Sequence, residues 1–140
     1  MTNRKIENIV KGQKLQILAE NATVQQACRC MFDCGTGSVL VVDDQQRLTG
    51  IFTGRDAVRT LAQGKNAEIT TLSQVMTPNP VTISPESRAI DALRTMNEFG
   101  FRHLPVVESG KLVGILTRSA FHGMEIDQLD TEVHIWECIR

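Results

Sequence analysis

A long internal duplication constrains this chain more than any other feature. Residues 50–53 and 114–117 share one pattern: Gly, two apolar residues, Thr. The match extends upstream to three further pairs, Ala27 with Ala92, Met31 with Met96, and Gly35 with Gly100. The copies lie 64 to 65 residues apart (114 − 50 and 92 − 27), which exceeds the roughly 20–50 residues of a solenoid unit. The pattern therefore indicates a small duplicated domain, whose two copies can bury their apolar faces against each other.

The first copy has the pattern strand, helix, strand, strand, helix. Residues 15–18 form a short candidate strand, and Thr23 begins a helix with a capping box completed three residues later. Residues 39–42 are a continuous β-branched apolar run, which is typical of a buried strand. Residues 48–52 predict the return strand and residues 56–62 a helix.

The second copy repeats this order. Residues 81–83 predict the short strand, and residues 84–86 predict a helix start with Pro at the first helical position. Residues 104–107 and 112–116 predict the two longer strands. The linker 72–80 contains two prolines, which favour an extended chain.

These elements predict an α/β (α+β) fold with one helical layer on one sheet in each copy, and a pseudo-twofold between copies. We divide the chain into a first repeat with its N-terminal segment (1–70), a second repeat (71–126) and a C-terminal tail (127–140). The tail holds the only tryptophan, Trp136, among apolar residues. It is interpreted as a packing segment over a sheet edge or a dimer seam, with a ligand-facing Trp136 as the alternative.

Composition excludes several classes of function. The formal net charge of −1 argues against a general nucleic-acid binder. No apolar run approaches the roughly 20 residues of a membrane span, and the N-terminus does not resemble a signal peptide, so a cytoplasmic location is expected. There is no P-loop or nucleophile elbow, and the three histidines are scattered. We therefore expect no catalytic residues, no metal site and no enzymatic activity.

Three of the four cysteines lie in one predicted helix. Cys30 and Cys34 are four residues apart and can share a helix face. Two thiolates alone make an incomplete zinc site. The preferred interpretation is idle thiols, and a redox sensor around this pair is the alternative.

Thr53 and Asp56 form the pattern Thr-x-x-Asp at the end of a strand. This pattern predicts a plain helix cap, but a carboxylate can also accept hydrogen bonds from the two hydroxyls of a ribose. In the second copy Thr117 retains the cap while Ala120 replaces the acid. A site in the second copy would therefore bind a ribose more weakly than a site at Asp56. Replacing Asp56 with alanine is expected to reduce binding of a ribose-containing ligand with little loss of stability.

Taken in order, several motifs make the chain resemble a tandem cystathionine-β-synthase (CBS) domain pair. These are Val-Met-Thr-Pro at 75–78, Gly-Phe-Arg-His-Leu-Pro-Val-Val at 100–107, and the two Gly-apolar-apolar-Thr segments. The resemblance implies two repeats packed sheet to sheet, clefts that bind adenosyl compounds, pairing into homodimers, and regulation of another protein.

The resemblance also implies roles for individual residues. It makes Thr53 the phosphate-side threonine and Asp56 the ribose acid, and it places Arg102 and His103 near the phosphates. The adenine slot is expected to be lined by Ile17, Leu18 and Val39.

We therefore predict a regulatory module that binds AMP, ADP or ATP, with S-adenosylmethionine or NAD as further possibilities, and signals to a partner protein. A homodimer is expected, with no nucleic-acid or membrane partner. The alternatives are a ligand-independent dimerisation scaffold and the cysteine-based redox sensor.

Overall fold

The computed structural model of the chain describes residues 4–121. Its helices are α1 (Ile6–Val10), α2 (Val24–Cys34), α3 (Gly54–Ala62), α4 (Leu72–Val75) and α5 (Ala89–Phe99). Its strands are β1 (Ile17–Ala19), β2 (Ser38–Val42), β3 (Leu48–Thr53), β4 (Thr77–Pro78), β5 (His103–Glu108) and β6 (Lys111–Thr117), with a 3-10 turn at Arg118–Ala120. The mixed α/β class predicted from the sequence is confirmed.

The described chain divides into two compact units. Residues 14–81 with 110–112 form what we call the first-repeat unit, and residues 4–13, 82–109 and 113–121 form the second-repeat unit. The N-terminal helix α1 thus groups with the second repeat. The boundaries drawn from the sequence after residues 70 and 126 stay a prediction, and the tail 127–140 lies outside the described residues.

The first-repeat unit is built on a four-stranded sheet in the order β1-β2-β3-β4. β1 runs parallel to β2, whereas β2 with β3 and β3 with β4 are antiparallel. The parallel pair follows from the intervening helix α2, because parallel neighbours need a crossover connection.

The two faces of this sheet differ. One face packs against α2 and α3 in a core that contains Val39, Val41 and Phe52, with Leu18 at its margin. The register places Ile17 beside Leu40, Leu40 beside Ile51, and Ile51 beside Thr77, so these residues lie on the opposite face.

Local sequence signals set the helix starts in this unit. The predicted capping box is present at the start of α2, where Thr23 and Gln26 exchange hydrogen bonds of 2.8 and 3.2 Å. The expectation of an extended linker over residues 72–80 is wrong for its first part, because residues 72–75 form α4. There Thr71 donates its amide to the side chain of Gln74 at 3.0 Å, a start signal that the prolines further on do not override.

The second-repeat unit corrects two predictions. Helix α5 begins at Ala89 and not at Pro85, because the chain before it pairs with the N-terminal segment: Ala89 donates its amide to the carbonyl of Arg4 at 2.7 Å. Ser84 accepts the amide of Glu86 in a local turn instead of capping a helix. The strand expected at 81–83 is reduced to a single parallel bridge between Ile83 and Val106.

The strands β5 and β6 form a two-stranded sheet, as the duplication predicts. Across residues 4–121, none of the helices has both the length and the apolar character that crossing a membrane requires.

Candidate functional site

The junction between β3 and α3 holds the first pair of predicted site residues. Thr53 is the N-cap of α3, and its hydroxyl accepts the amide of Asp56 at 3.4 Å. Asp56 Oδ2 in turn accepts the amide of Thr53 at 3.0 Å and its hydroxyl at 3.2 Å. The Thr-x-x-Asp pattern therefore forms the capping box that the spacing predicts.

The carboxylate of Asp56 has more partners than a cap requires. Its Oδ1 accepts a 3.0 Å hydrogen bond from the guanidinium of Arg59, and both oxygens lie near the hydroxyl of Thr77, at 3.3 and 3.5 Å. The side chain is only 3% exposed. Thr77 enters this cluster because β4 pairs with β3 opposite Ile51.

This geometry limits how a ribose can reach Asp56. Each carboxylate oxygen has about two acceptor positions, and protein donors already approach both oxygens. A ribose hydroxyl therefore has to replace the longest of these contacts, which come from Thr77, or displace the half-exposed Arg59.

The corresponding junction in the second repeat is built differently. Residues 118–120 form a single 3-10 turn, and Thr117 makes no side-chain cap to it, which corrects the expectation that this threonine caps a helix. Its hydroxyl lies 2.9 Å from the hydroxyl of Ser119 instead. Without an acid at position 120, the reciprocal half of a capping box is missing, so the turn has no carboxylate partner of this kind.

Arg102 and His103 lie in the second-repeat unit, where β5 begins. A cavity of about 440 Å³ in this unit is lined by Met96, Asn97, Gly100, Phe101, Arg102 and Arg118. The amide of Arg118 donates to the carbonyl of Arg102 at 3.0 Å, which joins the turn after β6 to the start of β5. Two arginines and one asparagine are therefore among the residues that line one cavity, and their side-chain donors are of the kind suited to anionic oxygens.

His103, which follows Arg102 at the start of β5, is half-buried. Burial, followed by the positive charge of Arg102, lowers the pKa of His103. The imidazole is consequently kept neutral to lower pH than an exposed histidine.

The predicted adenine lining does not form one surface. Val39 is fully buried in the core of the first-repeat unit, and Leu18 packs against the same core. Ile17 lies on the opposite face of the sheet and is 41% exposed. The alternation of side chains along β1 separates Ile17 from Leu18, so of these three only Ile17 is available to a ligand on the face that carries Thr77.

Sequence reasoning missed three residues of these sites: Thr77, Arg118 and Asn97. Thr77 lies in the Val-Met-Thr-Pro motif at 75–78, but its contact with Asp56 depends on strand pairing across 21 residues. Arg118 directly follows the duplicated Thr117, but the first copy has Gly54 at the equivalent position, so the duplication does not indicate it.

No cluster of three or more potential metal ligands among His, Cys, Asp and Glu occurs within residues 4–121. Cys28 and Cys30 are partly buried and Cys34 is exposed. Cys138 lies outside the described residues.

Comparison with known proteins places these features in a family. The family model of the CBS domain matches residues 9–63 and 72–121. The chain is 42% identical over 114 residues to the CBS domain-containing protein CBSCBSPB2 of Arabidopsis thaliana, which covers 79% of this chain. It spans only 21% of that relative, so it corresponds to about a fifth of the relative's length.

Solved structures agree with this match. A putative signal-transduction protein with CBS domains from Burkholderia ambifaria is 28% identical, with a TM-score of 0.76 over 81% of this chain and 88% of that protein. The CBS domain protein PAE2072 from Pyrobaculum aerophilum, solved in complex with AMP, has a TM-score of 0.80 over 91% of this chain and 98% of that protein at 22% identity, which shows a shared fold. Because the family model matches both repeats and the structure contains two strand-and-helix units, the chain belongs to the CBS domain family as a tandem pair.

Proposed function

We propose that this CBS pair is a regulatory module that binds an adenine nucleotide and transmits the bound state to a partner protein. Asp56 is the residue that binds the ribose hydroxyls. Within the second-repeat unit, Arg102 and Arg118, with His103 next to Arg102 in the sequence, bind phosphate oxygens. The module itself performs no catalytic step.

The observation that carries this proposal is the difference between two capping boxes in the same chain. Asp91 in α5 accepts the amide of Arg88 and forms an ion pair with Arg94. Asp56 makes the same two kinds of contact, with Thr53 and Arg59, but the side chain of Asp91 is 47% exposed. Asp56 is buried and is also approached by Thr77. Capping alone does not require this burial, whereas a site that holds ribose hydroxyls away from water does.

The AMP complex of the Pyrobaculum aerophilum protein supports adenine nucleotides as the first class of ligand to test. Within the second-repeat unit, the arginine-lined cavity supports a ligand that carries an anionic group, because a guanidinium matches phosphate oxygens with its planar set of donors. S-adenosylmethionine and NAD are the next compounds to test, since both carry an adenosyl group with the ribose hydroxyls that Asp56 is proposed to bind.

The decisive experiment is calorimetric titration of wild type, Asp56→Asn and Asp91→Asn with AMP, ADP, ATP and adenosine. Loss of one charge-assisted hydrogen bond is worth about 1.5–3 kcal/mol, so Asp56→Asn is expected to weaken binding roughly 10- to 150-fold. Asp91→Asn is the matched control, because it removes the same charge from the exposed capping box, and it should bind as wild type does. Equal affinities for wild type and Asp56→Asn would reject the ribose assignment.

Arg102→Ala tests the phosphate contact separately. It should weaken AMP, ADP and ATP more than adenosine, because adenosine carries no phosphate for the guanidinium to bind. Equal losses for AMP and adenosine would show that Arg102 acts through packing.

A ligand-independent dimerisation scaffold is the second candidate, and exposed apolar side chains favour it. Phe32, Val58, Leu61 and Ile69 are all more than 60% exposed in the first-repeat unit. Val58 and Leu61 are three residues apart on α3 and therefore share a helix face. Large apolar groups exposed in this way are typical of protein–protein contact surfaces.

Light scattering of wild type and Leu61→Asp tests this candidate. A homodimer mass for wild type and a monomer mass for the variant are expected, with Gln63→Asp as a control for added charge on the same segment. If wild type is a dimer but no adenine compound raises its unfolding temperature, the scaffold replaces the sensor, because a ligand that binds only the native state must stabilise it.

A further inference from the structure

The last turn of α2 brings two thiols to one acceptor. Cys30 and Cys34 both donate to Oε1 of Gln16, at 3.3 and 3.2 Å. Gln16 directly precedes β1, and its own backbone carbonyl accepts the amide of Leu40 at 2.8 Å, which fixes the position of this residue. The two sulfurs therefore flank a single oxygen atom that is held by the sheet.

The two thiols also act on each other. Partial burial, then the charge and hydrogen bond of Cys34, and then the carboxylate of Asp33 raise the pKa of Cys30. Cys34 is exposed and Cys30 is partly covered. The Cys34 thiol is thus accessible to a small reagent in solution, and the Cys30 thiol is its neighbour at the same acceptor.

We propose that Cys30 and Cys34 form a reversible dithiol–disulfide pair that exchanges with low-molecular-weight disulfides, and that Gln16 positions the two thiols. This site lies apart from Asp56 and does not depend on nucleotide binding. Cys28 and Cys30 both pack against the core, but residues two apart on a helix do not face each other, so Cys28 takes no part in the pair.

The chemistry is two successive thiol–disulfide exchanges. The Cys34 thiolate attacks one sulfur of the small disulfide, forming a mixed disulfide and releasing one thiolate, which takes up a proton. The Cys30 thiolate then attacks the Cys34 sulfur, forming the Cys30–Cys34 bond and releasing the second small thiol. Two protein thiols are oxidised and one small disulfide is reduced to two thiols.

The position of the pair at a helix end makes the closing step feasible. Residues four apart on a helix have Cβ atoms about 5–6 Å apart, whereas a disulfide needs about 3.5–4.5 Å. The helix must therefore tighten or unwind locally. Cys34 is the last residue of α2, and Gly35 follows it in the left-handed conformation with a φ of 66°. Tightening or unwinding the helix here therefore breaks only terminal hydrogen bonds, such as the one from Thr36 N–H to the carbonyl of Met31.

The resulting bond is strained by this requirement. A strained, accessible disulfide has a more oxidising potential than a structural one and is readily reduced again. The pair is therefore suited to reversible switching and not to permanent cross-linking.

Peptide mass spectrometry after incubation with oxidised glutathione tests the proposal directly. Trypsin separates the cysteines, because peptide 30–47 contains only Cys30 and Cys34, peptide 15–29 contains Cys28, and peptide 119–140 contains Cys138. We expect peptide 30–47 to become lighter by two hydrogen atoms, and dithiothreitol to reverse the change. A Cys28→Ala/Cys138→Ala variant should behave in the same way, because only the pair is required.

Two variants test the roles of the partners. Cys30→Ser should stop the reaction at the mixed disulfide with glutathione on Cys34. Gln16→Met keeps the side-chain length but removes the oxygen to which both thiols donate. Once Cys34 is in the mixed disulfide, only the protonated Cys30 thiol is still held by that oxygen, so the variant should slow ring closure about two- to fivefold, as expected for losing one weak hydrogen bond.

Three results would overturn the proposal. The first is wild-type peptide 30–47 that stays fully reduced in oxidised glutathione while denatured protein reacts. The second is accumulation of the glutathione adduct in wild type without loss of the two hydrogen atoms. The third is a disulfide between two chains in place of the intramolecular one. An unchanged closure rate in Gln16→Met would remove the positioning role of Gln16.

Discussion

Replacing Asp56 with alanine should destabilise the protein substantially, in contrast to the small effect expected from the sequence alone. The buried carboxylate accepts the amide and hydroxyl of Thr53 and receives contacts from Arg59 and Thr77. Alanine removes every one of these contacts and leaves the N-terminus of α3 with an unpaired amide.

The magnitude follows from the individual contacts. Loss of a capping interaction costs about 0.5–2 kcal/mol, and a buried hydrogen bond to a charged acceptor about 1.5–3 kcal/mol. The ion pair with Arg59 adds little, because that guanidinium is 54% exposed and an exposed pair is worth at most about 1 kcal/mol. These contributions overlap in the contact with Thr53, so we expect a loss of about 2–4 kcal/mol in the free energy of unfolding.

Urea denaturation followed by circular dichroism at neutral pH measures this loss, and Asp91→Ala is the internal control. Asp91 occupies the same position in its helix and makes the same two kinds of contact, but on an exposed surface. Its loss should be about 0.5–1 kcal/mol. Losses that agree within about 0.5 kcal/mol for the two variants would refute the reasoning, because burial and Thr77 would then contribute nothing.

Three further perturbations have directions that the structure sets. The pKa of His103 is lowered by burial and by Arg102, so wild type should lose stability as the pH falls from about 6.5 through the lower folded pKa. In urea titrations at several pH values, His103→Gln should show a smaller loss of stability over the same range. The backbone amide of Arg47, followed by that of Gln45, donates a hydrogen bond to Asp43 and lowers its pKa. Any stability advantage of wild type over Asp43→Asn should therefore be complete above pH about 4 and shrink below it, and a constant difference down to pH about 2 would contradict this. A Cβ on Gly50 would meet the sulfur of Met76, so Gly50→Ala should lower the free energy of unfolding by about 1–3 kcal/mol in thermal unfolding. Adding Met76→Ala should recover part of this loss, and no recovery would place the strain elsewhere.

Much of the fold was predictable from the sequence because its signals are local. The capping boxes at Thr23 and Thr53 connect residues three apart, so spacing alone fixes them. The continuous apolar run of β2 is buried along its whole length, as its composition predicts. The duplication correctly carried the order helix, strand, strand from α2, β2 and β3 to α5, β5 and β6. Within residues 82–121, however, a single bridge stands where the short first strand was expected, and a 3-10 turn stands where the last helix was expected to begin.

Errors arose where a local signal competed with a distant one. Ser84 and Pro85 form a good helix start by themselves, but residues 85–89 pair with the N-terminal segment, and α5 begins only after that pairing ends. The sequence could not indicate this competition, because Arg4 and Ala89 are far apart along the chain.

The candidate site shows the same division. The sequence by itself determined that Thr53 and Asp56 meet, since their contact spans one helical turn. Only the tertiary structure decided that Asp56 is buried beneath Thr77 and that Ile17 and Val39 lie on opposite faces of the sheet. Strand pairing and burial depend on which distant segments pack together, and that choice is made by the free energy of the whole fold and not by any local pattern.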